Sequence, residues 1–142
     1  MHCKHPVGPV QPRQRPWRQP EARNQESAIL KFTILLRRNP SLTHDEFVAY
    51  HRERHAPLFC ALPAVREHVR HYVQCHTVPA DLPGLPPARF DGITELWFDD
   101  AAGLEAVFGS EEYMRTIRPD EARFLDLHGC EFVLAAEHVV IA

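Results

Sequence analysis

Four segments of the chain alternate between hydrophobic and polar positions, which is the pattern of half-buried β-strands. The clearest is residues 29–37, ILKFTILLR, where Phe32, Ile34 and Leu36 share one face. The next, residues 68–78, places Tyr72 on one face and Val73 on the other. The remaining two are residues 91–98 and 130–141. The sequence therefore predicts four strands.

The segments between the strands predict helices. Thr43 and Glu46 have the spacing of a capping box, so a helix should follow them. Ala56-Pro57 indicates that this helix ends or kinks there. One face of the helix carries Phe47, Tyr50, His51, His55 and Leu58.

A second helical region should follow the third strand. Asp99 or Asp100 caps its first helix, Gly109 interrupts it, and Ser110 can cap a further short helix. The order is then βαββαβ, which predicts a ferredoxin-like α+β fold: a four-stranded antiparallel sheet with both helices on one face. We expect the uncovered face to carry large side chains and to be a dimerisation surface, with the examples Tyr72, Leu35 and Trp97.

Residues 1–27 differ in composition from the rest. They hold five prolines and five basic residues against two acidic ones, with almost no aliphatic side chains. Such a segment has little to bury in return for the entropy lost on ordering. We predict a flexible, basic, proline-rich arm at 1–27 and one domain at 28–142, and a targeting or nucleic-acid-binding role for the arm is the alternative.

The whole-chain charge excludes several classes of protein. A net charge of -3 gives no strong field for nucleic acid or acidic lipid, and no apolar run is long enough to span a bilayer. The N-terminus lacks the apolar region of a secretory signal. We therefore expect a cytoplasmic protein without nucleic-acid or membrane partners.

Its four cysteines should be free thiols, and we interpret Cys60, Cys75 and Cys130 as small buried apolar residues.

Four segments in order resemble the EthD domain family, within the dimeric α+β barrel superfamily. They are FVAYHRERHAP at 47–57, HYVQCH at 71–76, DGITELWFDD at 91–100, and DEARFLDL at 120–127 with the ending EHVVI. Tyr50, His55, Ala56 and Pro57 fall on the family pattern, whereas His51 stands where members usually carry Trp. The resemblance covers about residues 29–142.

The resemblance implies a homodimer whose sheets close into a barrel, with a small-molecule pocket between each sheet and its helices. It implies a cofactor-free dehydratase-, isomerase- or oxygenase-like enzyme acting on an apolar, aromatic or polyketide-like intermediate. A non-catalytic accessory or ligand-binding protein of a degradation pathway is the first alternative. A haem- or metal-binding protein is the second. Whether the protein is an enzyme stays open; a cofactor-independent oxidoreductase is one possibility, and no cofactor is expected.

His55 and Tyr50 are the candidate catalytic residues. An imidazole ordinarily titrates near neutrality, and in an apolar pocket it can donate or accept a proton, with Tyr50 as its nearest polar partner. The alternative is a buried histidine and a core tyrosine without catalytic roles. His51 and His55 stand four residues apart, but HRERH is not a zinc motif, so we predict no metal site.

The remaining candidates are substrate-binding residues. They are Phe47, His51, His76, Glu95 and Trp97, with an interface role as the alternative for His76 and Glu95. Tyr72 and Gln74 share the strand face of His76, so they too could point towards the pocket or the barrel interior. Glu137 or His138 could face His55 across the sheet, and Asp91 is interpreted as a turn residue. Asp120, Glu121 and Arg123 are interpreted as a solvated helical surface.

Overall fold

The computed structural model describes residues 29–142. The predicted arm at 1–27 lies outside the described residues. The strands are β1 (Leu30–Leu36), β2 (Val69–His76), β3 (Gly92–Phe98) and β4 (Glu131–Ala136). The helices are α1 (His44–Tyr50), α2 (Ala56–Cys60), α3 (Pro63–His68), α4 (Ala101–Phe108) and α5 (Arg118–Phe124). Two π-helical turns, His51–His55 and Tyr113–Ile117, precede α2 and α5, and a 3₁₀ turn spans Leu127–Gly129.

The strands form one antiparallel sheet in the order β2-β3-β1-β4. This is the predicted ferredoxin-like arrangement, and the prediction is confirmed. Along β3 the side chains alternate: Thr94, Leu96 and Phe98 are buried under the helices, while Glu95 and Trp97 are partly exposed on the other face. Within residues 29–142, none of the helices has the length and apolarity needed to cross a bilayer.

The caps predicted from the sequence are present. The Thr43 hydroxyl accepts from the amide of Glu46, and the Glu46 carboxylate accepts from the amide of Thr43. Asp100, rather than Asp99, caps α4 by accepting from the amide of Gly103. Ser110 accepts from the amide of Tyr113. Short polar side chains therefore set the helix starts on the sheet.

The first helix does not end at Ala56-Pro57. It widens instead into the π turn His51–His55, in which the amide of Ala56 donates to the carbonyl of His51. A wider turn accommodates Pro57, which has no amide to donate and whose ring would clash with an α-helical carbonyl. The turn Tyr113–Ile117 precedes Arg118-Pro119 in the same way.

The π turn changes which residues face the sheet. Phe47, His51, His55 and Phe59 are buried at a constant spacing of four, whereas Leu58 is only half-buried. In an ordinary α-helix, with 3.6 residues per turn, residues spaced four apart would gradually turn away from a single face. Phe59 therefore replaces Leu58 as the last inward residue, and two histidines are held side by side over the sheet.

One predicted position on the sheet is wrong. Tyr72 was expected on the uncovered face, but it pairs with Leu96 in the β2–β3 register and lies on the helix side. The irregularity between Val69 and His71 sets this register. Leu35 and Trp97 do lie on the uncovered face, since each pairs with residues outside the core. The last strand is also shorter than predicted and ends at Ala136.

Candidate functional site

A cavity of about 200 Å³ lies between the helices and the sheet. Its walls are mostly apolar, and aromatic rings dominate them, among them Phe32, Phe59, Phe108 and Phe124. Few polar groups reach it, which is the composition of a small-molecule site. The polar side chains that line it are His51, His55, Tyr72, Thr94, Tyr113, Arg118 and Glu121.

The first polar group is a triad on facing helices. The Tyr50 hydroxyl donates to Oδ1 of Asp120 over 2.5 Å, and Nδ1 of His55 lies 2.9 Å from Oδ2 of the same carboxylate. Asp120 is 6% exposed and His55 9% exposed. A carboxylate so placed makes Nδ1 the donor, so the lone pair of the His55 ring is on Nε2. Among residues 29–142, Nε2 has no hydrogen-bond partner, and the ring lines the cavity.

Burial and charge act in opposite directions on His55. Burial lowers the pKa of the imidazole, and the hydrogen bond to Asp120 and its charge raise it. Burial is the larger effect, so the pKa lies below its ordinary value and the ring is neutral near neutral pH. Burial also raises the pKa of Tyr50, reinforced by its bond to Asp120. The arrangement is therefore a neutral imidazole base oriented by a carboxylate.

A second carboxylate lies beside the first. Glu121 is 9% exposed and accepts from the hydroxyl of Tyr113, and its other oxygen lies 3.9 Å from Arg118. Burial raises the pKa of Glu121, while Tyr113 and Arg118 partly oppose the shift. Burial, followed by the charge of Glu121, raises the pKa of Tyr113. Asp120 and Glu121 thus serve two different tyrosines from one turn of α5.

A histidine pair connects the cavity to its rim. Nδ1 of His51 lies 2.9 Å from Nε2 of His76, and Nε2 of His51 lies 3.2 Å from the hydroxyl of Thr94. His51 is 1% exposed, and burial, followed by the charges of His55 and His76, lowers its pKa to about 3. Burial also lowers the pKa of His76, with Arg52 and His44 acting in the same direction. Both rings are therefore neutral near neutral pH.

The structure brings five of the predicted site residues together and places the other two elsewhere. His55 and His51 line the cavity, Tyr50 is joined to His55 through Asp120, and His76 lies beside His51. Phe47 is fully buried behind the cavity, where its ring packs on His51 and Phe124.

Glu95 and Trp97 lie outside the cavity, on the uncovered face of the sheet. Glu95 pairs with Lys31 over 2.5 Å, and Nε1 of Trp97 donates to Glu137 over 2.7 Å. Strand alternation places them there, since Thr94 and Leu96 occupy the helix side. Of the two roles considered for Glu95, its geometry favours the interface ion. Glu137 contacts Trp97 rather than His55, so the proposed pairing of Glu137 with His55 is wrong.

One further sequence interpretation is wrong, and a second is incomplete. Asp120 and Glu121 are buried hydrogen-bond acceptors, not solvated surface. A signal was available: they follow Ile117 and precede Phe124 at helical spacing, so they share the apolar face. Asp91 is not only a turn residue, because its carboxylate lies 2.8 Å from Nδ1 of His44.

The sulfur and metal chemistry of the described chain is limited. Cys60, Cys75 and Cys130 are free thiols. None of them is buried as expected, since Cys60 is exposed and the other two are half-buried. Among residues 29–142, no group of three His, Cys, Asp or Glu side chains is placed to hold a metal ion.

Comparison with known families decides the identity of the fold. The sequence profile of the EthD domain matches residues 39–128, which is more than half of the chain. The chain belongs to the EthD domain family. The match contains the cavity helices and two of the four strands, β2 and β3, together with the whole Tyr50–Asp120–His55 triad. A search of curated proteins gives no match.

Solved structures share the fold of this EthD domain at low identity. An ethyl tert-butyl ether degradation (EthD) family protein from Bacillus halodurans is 17% identical, with a TM-score of 0.59 over 78% of this chain and 99% of its own. A dimeric ferredoxin-like protein of unknown function from Thermobifida fusca is 21% identical, with a TM-score of 0.53 over 79% and 93%. SnoaB, a cofactor-independent oxygenase from Streptomyces nogalater, is 11% identical, with a TM-score of 0.54 over 80% and 98%.

Proposed function

We propose that this EthD domain protein is a cofactor-free enzyme that removes and returns a proton on an apolar ring substrate. The observation that carries the proposal is the His55–Asp120 pair, because it presents an imidazole lone pair to a mostly apolar cavity. His55 is the general base, and Asp120 holds its tautomer and stabilises the imidazolium that forms. Tyr50 holds the other oxygen of Asp120.

The size of the cavity limits the substrate. About 200 Å³ is below the range of drug-sized pockets, and an apolar cavity of ~150 Å³ is large enough for benzene. The rings of Phe32, Phe59, Phe108 and Phe124 favour a flat hydrophobic ligand. We therefore propose a substrate of one or two rings, in keeping with an aromatic or polyketide-like intermediate.

Dehydration, isomerisation and cofactor-free oxygenation can each begin with loss of a proton. SnoaB, described as a cofactor-independent oxygenase, shares the fold and supports the idea that this scaffold can work without a cofactor. The same cavity would also suit a non-catalytic binding protein of a degradation pathway, and proton exchange separates the two functions. We also propose a cytoplasmic protein, on the sequence argument above.

We further propose a homodimer through the uncovered face of the sheet. Leu35, Val73 and Ile93 lie there without a covering helix. The Thermobifida fusca protein of the same fold is described as dimeric, which supports the proposal. Pairing two such faces would bury roughly 2,000 Å² or more in total.

The test is deuterium exchange into an enolisable ring ketone. β-Tetralone is incubated with the protein in D₂O, and loss of the α-proton signal is followed by NMR. We expect the wild type to accelerate exchange, and His55→Ala to lose a factor of roughly a hundred to ten thousand of that acceleration.

The matched control is His138→Ala, which removes an exposed histidine outside the cavity. It should exchange at the wild-type rate. If β-tetralone binds but the wild type does not accelerate exchange, the binding-protein alternative is supported. If His55→Ala exchanges as fast as wild type, the base lies elsewhere, and His76 is the next candidate.

A further inference from the structure

Tyr72 is the one tyrosine of the cavity wall whose hydroxyl does not donate a hydrogen bond to a carboxylate. Tyr113 also lines the cavity, but its hydroxyl donates to Glu121. The Tyr72 hydroxyl instead accepts from Nε2 of Gln74 over 2.7 Å. Since a phenol that accepts still has its own proton to donate, the direction of this bond matters.

Gln74 fixes that direction. Its Nε2 also donates to the carbonyl of His51 over 2.9 Å, and a carbonyl can only accept. The amide nitrogen is therefore held between two acceptors, which orients the Gln74 side chain. As a result the Tyr72 hydroxyl must accept from Gln74, and its proton has no acceptor among residues 29–142.

Phe59 places Tyr72 close to the proposed base. The His55 ring stacks on Phe59 with centroids 6.2 Å apart, and the Tyr72 ring meets Phe59 edge-on at 5.6 Å. All three rings line the same cavity. A ring-sized ligand in the cavity can therefore meet the lone pair of His55 and the hydroxyl proton of Tyr72 together.

We propose that Tyr72 is a catalytic residue that donates a hydrogen bond to the ligand oxygen on which charge develops, and that the substrate is a cyclic enolisable ketone. This rests on the proposed function. His55 Nε2 forms a bond to the proton of the C–H next to the carbonyl. The C–H electron pair becomes a C=C bond, and the carbonyl π electrons move to oxygen. The resulting enolate oxygen accepts from Tyr72, and the proton returns from His55 to carbon or oxygen.

The acidity of Tyr72 suits this role. Burial raises the pKa of its phenol to about 12, so the group keeps its proton at neutral pH. A donor already oriented before the reaction loses little in reorganisation when charge appears.

The test uses para-nitrophenolate, whose ring oxygen carries the charge of an enolate. Its affinity is measured through the shift of its visible absorbance band. The affinity of nitrobenzene, which lacks the phenolate oxygen, is measured by calorimetry. Tyr72→Phe should weaken para-nitrophenolate roughly ten-fold or more and leave nitrobenzene unchanged within about two-fold. Tyr113→Phe is the matched control, and it should weaken the anion less than Tyr72→Phe does.

The remaining outcomes overturn the proposal. Equal losses for both ligands would mean that Tyr72 only packs against the ring. Unchanged binding of para-nitrophenolate to Tyr72→Phe would mean that the hydroxyl does not reach the ligand oxygen. These outcomes leave the function of His55 intact, because deuterium exchange tests it separately. If neither probe binds to the wild type, the proposal for Tyr72 fails, and deuterium exchange into β-tetralone decides separately whether the proposed function stands.

Discussion

A single carboxylate organises the candidate site at the residue scale. Asp120 accepts from Tyr50 with one oxygen and from His55 with the other. It comes from α5, whereas both donors come from the first helix, so one buried charge connects two helices and sets the tautomer of the base. Removal of that charge should therefore affect chemistry more than packing.

Asp120→Asn should slow exchange into β-tetralone roughly a hundred-fold or more, since the amide no longer enforces the tautomer with its lone pair on Nε2. Binding of nitrobenzene should stay within about two-fold of wild type, because the cavity walls are unchanged. Glu121→Gln is the neighbouring control and should exchange faster than Asp120→Asn. Equal rates for wild type and Asp120→Asn would show that Asp120 is structural.

His51 should make stability depend on pH. Its pKa is about 3 in the folded protein against an ordinary value of 6.5, so the unfolded chain binds the proton more tightly. Its contribution to stability is therefore full above pH 6.5 and is lost as the pH falls towards 3. The loss between pH 7.5 and pH 5 is about 2 kcal/mol.

The measurement is the urea unfolding free energy of wild type and His51→Gln at those two pH values. His55 and His76, whose pKa values are also lowered, act in the same direction, and Glu121, whose pKa is raised, acts in the opposite one. The comparison with His51→Gln isolates one histidine from these. Parallel pH dependence in the two proteins would show that His51 titrates normally.

Sequence patterns located half of this site. His51 and His55 lie on the apolar face of a helix, and periodicity detects such positions directly. The roles of Asp120 and Tyr72 depend on contacts between residues far apart in the sequence. Asp120 contacts His55, 65 positions away, and Tyr72 contacts Phe59, 13 positions away. Local periodicity contains no information on such pairs. An acidic residue on an apolar face was the available signal, and it indicates burial without naming the partner.

At the scale of elements, the site depends on a close approach between strands and helix. Gly92 pairs with His76 at the start of β3, and the Phe47 ring packs over it. A Cβ at this position would lie 2.9 Å from the carbonyl oxygen of Cys75 and 3.2 Å from the Phe47 ring. The strand pair and the helix that carries the histidines therefore meet over a residue without a side chain.

Gly92→Ala should destabilise the protein by about 1–3 kcal/mol, measured by urea unfolding, because the backbone oxygen cannot move away without breaking the β2–β3 pairing. In a Phe47→Leu background the added cost should be smaller, since the ring contact is relieved and the backbone contact remains. Gly92→Ala with wild-type stability would show that the strands separate easily at this point.

The π turns could not be predicted from helix periodicity. The prolines that follow Ala56 and Arg118 indicate an interruption of the helix, so the sequence alone predicts that a helix ends at each. In the fold, each helix packs on the sheet and continues past its proline. The turn before the proline is a π turn, which is wider than an α-helical turn and contains one more residue. Tertiary packing therefore decides whether the helix ends at the proline or widens into a π turn.

At the scale of the whole molecule, the strand and helix order was sufficient to predict the architecture. Strand periodicity and helix caps leave few ways to arrange βαββαβ, and the antiparallel sheet with one covered face is the arrangement observed. The register was harder, because the irregularity between Val69 and His71 decides which face Tyr72 occupies. The role of residues 1–27 stays a prediction.

The uncovered sheet face should hold two copies of the protein together. Ile93 lies on that face near the start of β3, between Leu35 on β1 and Cys75 on β2. Ile93→Asp would place a charge against apolar side chains of the partner, where it could be neither solvated nor paired. We expect light scattering at micromolar concentration to give a dimer for the wild type and a monomer for this variant. Met114→Asp, at an exposed position of the second π turn, should remain dimeric. A monomeric wild type would contradict the proposed dimer, and a dimeric Ile93→Asp would place the interface on another surface.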